Sequence, residues 1–373
     1  MSNAAETGSD KGLSRPLASL PPLAAAGVPR AAGEPRLPFR HKPPADGSAY
    51  AALDLGTNNC RLLIAHPSRH GFRVVDAFSR IVRLGEGLAA NEALSVLAIE
   101  RTLDALKVCR DKMLSRGVRR ARLVATEACR AARNGEVFVE RVQDEIGLDL
   151  EIVDRRTEAY LAVTGCAALA DPNAHSVVIF DIGGGSTEIA WLDGQARSPL
   201  SDPTKRIRAW DSLPVGVVTV AERHGGVSVT RESFEAMVDE VSRLLEPFQI
   251  AAGNASSAPG FHLLGTSGTV TTLGGIFLDL PRYDRRQVDG LWMTDTEVDR
   301  VIDDLVDTDY DGRATHPCIG RDRADLVLAG CAILEAIRRA FPAPRLRIAD
   351  RGLREGILMN LMREDRVWRR PRR

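Results

Sequence analysis

Two stretches of this chain carry the same hairpin. Ala51–Ile64 and Val178–Trp191 each run from an apolar strand into an Asp, then a tight polar turn with Gly two residues on, then a second apolar strand. Asp54 aligns with Asp181, Gly56 with Gly183 and Arg61 with Glu188, at one constant offset. A phosphate approaching a main chain needs convergent N–H donors and no Cβ in the way, which favours Gly and small hydroxyl or amide residues. Gly56, Thr57 and Asn58 meet that need on the first turn, and Gly183, Gly184, Gly185 and Ser186 on the second. A carboxylate at the end of the preceding strand, Asp54 or Asp181, is placed to hold Mg²⁺, usually through water. The turns differ at one position: Arg61 offers a planar cation to a phosphoryl group, and Glu188 offers a carboxylate to a metal or an attacking water. Either turn alone fits an ordinary β-hairpin. The pair, in register and with complementary charges, implies two similar halves facing one another across a cleft that handles phosphoanhydrides.

Alternating elements position these turns. Strand patterns cover Arg73–Val82, Arg122–Ala125, Leu150–Val153, Arg206–Trp210, Phe261–Leu264 and Arg345–Ala349. Helical spacing of Val96, Ile99, Leu103, Leu106 and Met113 predicts a long helix capped by Asn91 and stopping near Gly117. Further helices are expected over residues 136–146, 157–170, 217–224, 231–252, 295–305 and 323–341, with a last one after Asp350-Arg-Gly352 that packs back on the first half. Strands alternating with helices argue for α/β domains with mixed sheets.

Composition sets the outer bounds. With 373 residues, 44% of them hydrophobic, the chain is long enough for two packed domains. Lys+Arg and Asp+Glu both total 50, so any positive field must come from local clustering. Cys60, Cys109, Cys129, Cys166, Cys318 and Cys331 form no CxxC pair, which argues against a zinc site or disulfide scaffold and suits a reducing cytoplasm. No apolar run approaches the roughly 20 residues of a membrane helix. Residues 1–47 hold eight of the 20 prolines and read as a disordered tail. A signal peptide over Leu17–Val28 is the alternative, interrupted by Pro21 and Pro22. Six arginines between Arg363 and Arg373 form either a solvated basic tail (365–373) or a contact for a long anionic substrate or nucleic acid.

The residues from Tyr50 to Met362 resemble the exopolyphosphatase and guanosine-pentaphosphate phosphohydrolase family of the actin-like superfamily. DLGTNNCRLLIA (54–65), ATEACRAARNG (125–135), DRRTEAY (154–160), DIGGGSTEI (181–189), LPVG (213–216), GTSGT (265–269) and DRGLREG (350–356) carry the likeness, in that order. The resemblance implies two actin-like (ribonuclease H-like) α/β domains with mixed sheets facing across a central cleft. The expected boundaries are 48–170, completed by a helix at 352–364, and 171–345. The chain ends before the helical phosphohydrolase-type region of longer members and so resembles the short, two-domain form.

Carried over by motif, Glu158 matches the family's proposed catalytic base, and Arg61 and Arg130, the latter with Asn134 nearby, match phosphate-binding positions. Asp181 and Glu188 match carboxylates that hold Mg²⁺ and order water, with Asp54 opposite; Mn²⁺ is an alternative metal. Gly265, Ser267 and Gly268 match a third loop that holds inner phosphates or a nucleoside. Arg354 is either a cleft residue or a partner of Glu355. The segment before Glu158 departs from the commoner acidic, Gly-containing form: Arg155 and Arg156 precede Thr157, and Tyr160 stands where many members have Arg.

The function so implied is processive, Mg²⁺-dependent hydrolysis of inorganic polyphosphate from its end. Hydrolysis of guanosine pentaphosphate is the alternative, and an actin-like kinase or a nucleotide-binding sensor are readings from other classes. A homodimer is the candidate assembly, with no membrane and no sequence-specific nucleic-acid partner.

Overall fold

The computed structural model describes residues 48–69, 71–194 and 202–368. The expectations for residues 1–47, and for the basic tail beyond residue 368, lie outside these. Two mixed sheets form the frame. The first has the order β3-β2-β1-β4-β5, from β1 (Ala49–Leu55), β2 (Asn59–Ser68), β3 (Gly71–Ile81), β4 (Val118–Ala125) and β5 (Glu151–Ile152). The second has the order β10-β11-β9-β6-β7-β8, from β6 (Ser176–Ile182), β7 (Thr187–Asp193), β8 (Ile207–Leu213), β9 (His262–Thr266), β10 (Trp292–Thr294) and β11 (Arg345–Ala349).

The duplication extends through both sheets. β1, β2 and β3 form an antiparallel meander with β4 and β5 added in parallel; β6, β7 and β8 repeat the meander, with β9 and β11 added in parallel. The constant offset in the sequence corresponds to cross-strand pairing: Asp54 lies opposite Arg61, and Asp181 opposite Glu188. Each turn is closed by the same bond, from Gly56 N–H to the Asn59 carbonyl and from Gly183 N–H to the Ser186 carbonyl, both 2.9 Å.

The central strands are apolar on both faces because helices cover both, as parallel pairing requires. One face of the first sheet packs Leu53, Leu62 and Ile64 against Leu103, Leu106 and Met113 of the Val96–Ser115 helix. The other face packs Ala52, Leu63 and Val124 against Leu161, Ile357, Leu358 and Leu361. These last come from two helices, Arg155–Cys166 and Leu353–Glu364, which cross at glycine. A Cβ on Gly165 would lie 2.0 Å from the Gly352 carbonyl oxygen, and one on Gly356 2.0 Å from that of Leu161. Val163 and Cys166 of the first of these helices pack on Val177, Ile179 and Leu264 of the second sheet. That helix is therefore gripped by both lobes.

Several boundaries differ from expectation. Ser95, not Asn91, caps the long helix: its side chain accepts from Ala98 N–H, while Asn91 ends a preceding short turn, Leu88–Asn91. β4 begins at Val118, since pairing with β1 runs from Val118, past a register shift at Arg119, through Arg120 and Arg122. The helix expected over 157–170 runs over 155–166, because Asp154 supplies the N-cap by accepting from Thr157 N–H. The helix expected over 323–341 is Val327–Ala340, which leaves residues 320–326 as a turn facing the cleft.

Candidate active site

A cavity of about 110 Å³ lies between the two sheets. Its wall includes Asp54, Gly56, Thr57, Asn58 and Arg61 from the first turn and Asp181, Gly183, Gly184, Gly185, Ser186 and Glu188 from the second. Ser267, Gly268 and Glu158 complete the set of expected residues on it. The turns touch. A Cβ on Gly184 would sit 2.9 Å from Thr57 Cβ and 3.1 Å from Asn58 N, and one on Gly185 would sit 2.7 Å from Thr57 Oγ1. Only glycine allows this approach.

The turns leave donors free. The carbonyls of Thr57, Asn58, Gly183 and Gly184 accept from Gly85, from Val82 and Arg83, from Val217 and from Val218, respectively. Among the described residues, no hydrogen bond engages the N–H groups of Thr57, Asn58, Gly184 or Gly185. The third loop adds the N-terminus of the Gly268–Phe277 helix, which favours anions. Ser267 caps it at φ 125°, ψ 175°, a conformation that costs a non-glycine residue about 1–3 kcal/mol.

Two expected residues are not on the wall. Gly265 sits inside β9, where a Cβ would meet the Phe180 ring at 2.5 Å; it is a packing glycine and not part of the cradle. Arg130 lies behind Glu158. It donates from Nη2 to Glu158 Oε2 at 3.0 Å, from Nη1 to the Val153 carbonyl at 2.6 Å, and from Nε and Nη2 to Glu127 Oε2. In this arrangement it orients carboxylates and does not face a phosphate. Asn134 clamps the Leu94 backbone, accepting from its N–H and donating to its carbonyl. Arg354 is likewise off the wall, and Glu355 pairs instead with Arg285 at 2.8 Å.

One cation on the wall escaped the sequence reading. Arg323, in the turn before the Val327–Ala340 helix, converges with Arg61: both guanidinium groups come 3.9 Å from the Cβ position of Gly268. Burial, then repulsion from Arg61, lowers the Arg323 pKa. Neither arginine is ion-paired or hydrogen-bonded among the described residues. Two unpaired guanidinium groups side by side call for an anion. No motif flags Arg323, since it stands in an irregular turn between other charged residues. Glu127 was missed for a similar reason, as one acid inside a motif quoted for its arginine.

The carboxylates carry the opposite imbalance. Burial pushes Asp181 up to about 6 against the opposing pull of Arg61. Burial and the Asp181 charge push Glu188 up to about 7, although Ser212 donates to it at 2.9 Å. Burial, then the Glu188 charge, holds Glu158 well above the carboxylate range while Arg130 pulls it down. Burial likewise raises Asp54. Among the described residues no hydrogen bond to the Asp54 or Asp181 carboxylate is found, and the buried Asn58 Oδ1 and Asn59 Oδ1 have no partner.

This hard-oxygen donor set fits Mg²⁺. Among the described residues no group of three or more His, Cys, Asp or Glu side chains is placed to hold a metal ion by protein ligands alone. Mg²⁺ needs less protein, being held by one or two carboxylates with phosphate oxygens and water.

No helix among the described residues is long and apolar enough to cross a membrane. The described cysteines are all free and buried.

Comparison with known proteins places this geometry. The model of the Ppx/GppA phosphatase family matches residues 63–365. The guanosine-5'-triphosphate,3'-diphosphate pyrophosphatase of Photobacterium profundum is 27% identical over 322 residues, covering 84% of this chain and 59% of that protein. Its namesake from Vibrio atlanticus is 27% identical over 319 residues, covering 85% and 60%. The chain thus spans less than two thirds of the length of these curated relatives. Among solved structures, an exopolyphosphatase from Cytophaga hutchinsonii shares the two-domain actin-like fold at a TM-score of 0.76 and 23% identity, covering 85% of this chain and 98% of that one. The Ppx/GppA family member from Aquifex aeolicus matches at 0.67 and 27%, with the same coverage. Duplicated turns, matching motifs and a family model spanning both lobes lead to one assignment: the chain belongs to the Ppx/GppA phosphatase family.

Proposed function

We propose that this protein hydrolyses the terminal phosphoanhydride bond of inorganic polyphosphate and releases orthophosphate. One observation carries the reading: Glu158, fixed by Arg130, shares a cavity wall with two backbone cradles and with the unpaired Arg61 and Arg323. The cradles and arginines hold the terminal phosphoryl group and spread its charge. Glu158 accepts the proton of a water attacking the terminal phosphorus, a role suited to a carboxyl that burial and the Glu188 charge make more basic than an ordinary carboxylate. Asp54, Asp181 and Glu188 would hold Mg²⁺, which neutralises phosphate charge when bound. The adjoining third loop then faces inner phosphates.

Hydrolysis of guanosine pentaphosphate is the second reading, favoured by the names of the relatives from Photobacterium profundum and Vibrio atlanticus. It uses the same centre with a nucleoside beyond it. Phosphate release from long polyphosphate and from the nucleotide, compared at equal concentration with and without Mg²⁺, tests both. An about hundredfold preference for the nucleotide would reverse the order, and release from neither would remove the reading.

A further inference from the structure

Glu127 is an acid on the wall of a cavity that otherwise suits a polyanion. Its charge is already engaged. Oε2 accepts from both Nε and Nη2 of Arg130, and Oε1 accepts from Arg155 Nη2 at 3.3 Å. The same Arg130 Nη2 donates to Glu158, and Nη1 holds the Val153 carbonyl at the foot of the Glu158 helix. A guanidinium is a rigid planar fork, so fixing Nε and one edge at Glu127 fixes where Nη2 points. From the other lobe, a Cβ on Gly185 would lie 3.2 Å from Glu127 Cγ. The second turn therefore rests on this side chain when the lobes are together.

We infer that Glu127 is a positioning residue: it sets Glu158 through Arg130, and the seating of the Gly185 turn upon it makes that setting depend on lobe closure. The inference rests on the reading of Glu158 as base. It explains why an acid is present among phosphate cradles: with two arginines around it, Glu127 repels little. In return it keeps Arg130 from swinging into the cavity and leaving Glu158 unheld. The Arg155 contact belongs to the segment where this chain departs from the commoner family form, so the arrangement is tied to this chain's own residues.

Glu127→Gln keeps the side-chain volume and removes the charge. In phosphate release from polyphosphate, kcat should fall about 10- to 100-fold, as when a reacting group is misplaced by an ångström or less. KM should stay within about threefold, because no substrate contact is lost. Glu127→Ala should show the same split. An unchanged kcat, or a loss confined to KM, in an enzyme whose wild type is active would overturn the inference and spare the base assignment. A wild type that releases phosphate from neither polyphosphate nor guanosine pentaphosphate would instead remove the base assignment, and geometry then decides. In a crystal structure of Glu127→Ala, Arg130 Nη2 should no longer lie against Glu158 Oε2; a contact kept at its present length would overturn the inference regardless of activity.

Discussion

Arg83 and Asp325 join the two lobes by a two-pronged ion pair, with Nη1 to Oδ2 at 3.0 Å and Nη2 to Oδ1 at 3.1 Å. Arg83 also donates to the Asp322 carbonyl, so it grips both sides of Arg323. Its backbone is left-handed, at φ 47°, and Arg101 braces the carbonyls of Val82 and Arg83 from behind. With both side chains partly in water, the pair contributes less than about 1 kcal/mol, enough to bias closure without locking it. Arg83→Ala or Asp325→Ala should therefore enlarge the unliganded protein in small-angle X-ray scattering. Tripolyphosphate should restore the compact form. Profiles that ignore both substitution and ligand would count against a moving cleft.

Glu158→Gln removes the proposed proton acceptor, and with it the charge that Arg130 holds at 3.0 Å. Turnover of polyphosphate should drop by about 10² to 10⁴, the usual contribution of a positioned base. Calorimetry with a short polyphosphate should show nearly unchanged affinity. Wild-type turnover in this variant would eliminate Glu158 as the base.

Arg61→Ala and Arg323→Ala each delete a charged donor. A hydrogen bond to a charged group is worth about 1.5–3 kcal/mol, so each variant should bind phosphate chains about ten- to a hundredfold more weakly. Arg61→Lys and Arg323→Lys should recover part of the loss, since charge survives but the fork does not. Unaltered binding in Arg323→Ala would separate that residue from the substrate.

In chelator, the carboxylates should make folding sensitive to pH. Folded Asp181 and Glu188 titrate near 6 and 7, against about 3.9 and 4.3 in an unfolded chain. Between those limits the folded state holds more protons, so their contribution is fully present below about pH 4 and is lost as pH rises through 6 to 7. The melting temperature should fall from about pH 5 to pH 8, and less steeply in Asp181→Asn. Mg²⁺ should raise it more at pH 8 than at pH 5. A difference profile that rises with pH would contradict the burial of these acids.

Sequence reading reached the frame because repetition is a one-dimensional signal. Two strand-Asp-x-Gly-turn-strand segments at one offset specify two hairpins, and the pairing of Asp54 with Arg61 and Asp181 with Glu188 follows from hairpin geometry. Capping was less legible: Asn91 and Ser95 are both acceptable caps, and packing at Leu94 and Ala98 selects the second. The cavity wall was legible where it comes from the hairpins and opaque where it comes from tertiary approach. Arg323 enters from a distant irregular turn, and Gly265 looks like a loop glycine until Phe180 is seen above it. The direction in which Arg130 points depends on Glu127 and Val153, which no spacing rule connects to it.

The bare glycines at the meeting of the two hairpins carry a practical corollary. One methyl at residue 184, which would meet Thr57 and Asn58, would act as a doorstop, propping the jaws ajar without touching Glu127 or Glu158. Such a protein could admit and surrender cargo freely yet seldom fire, which would make it a clean reagent for timing the hinge apart from the chemistry.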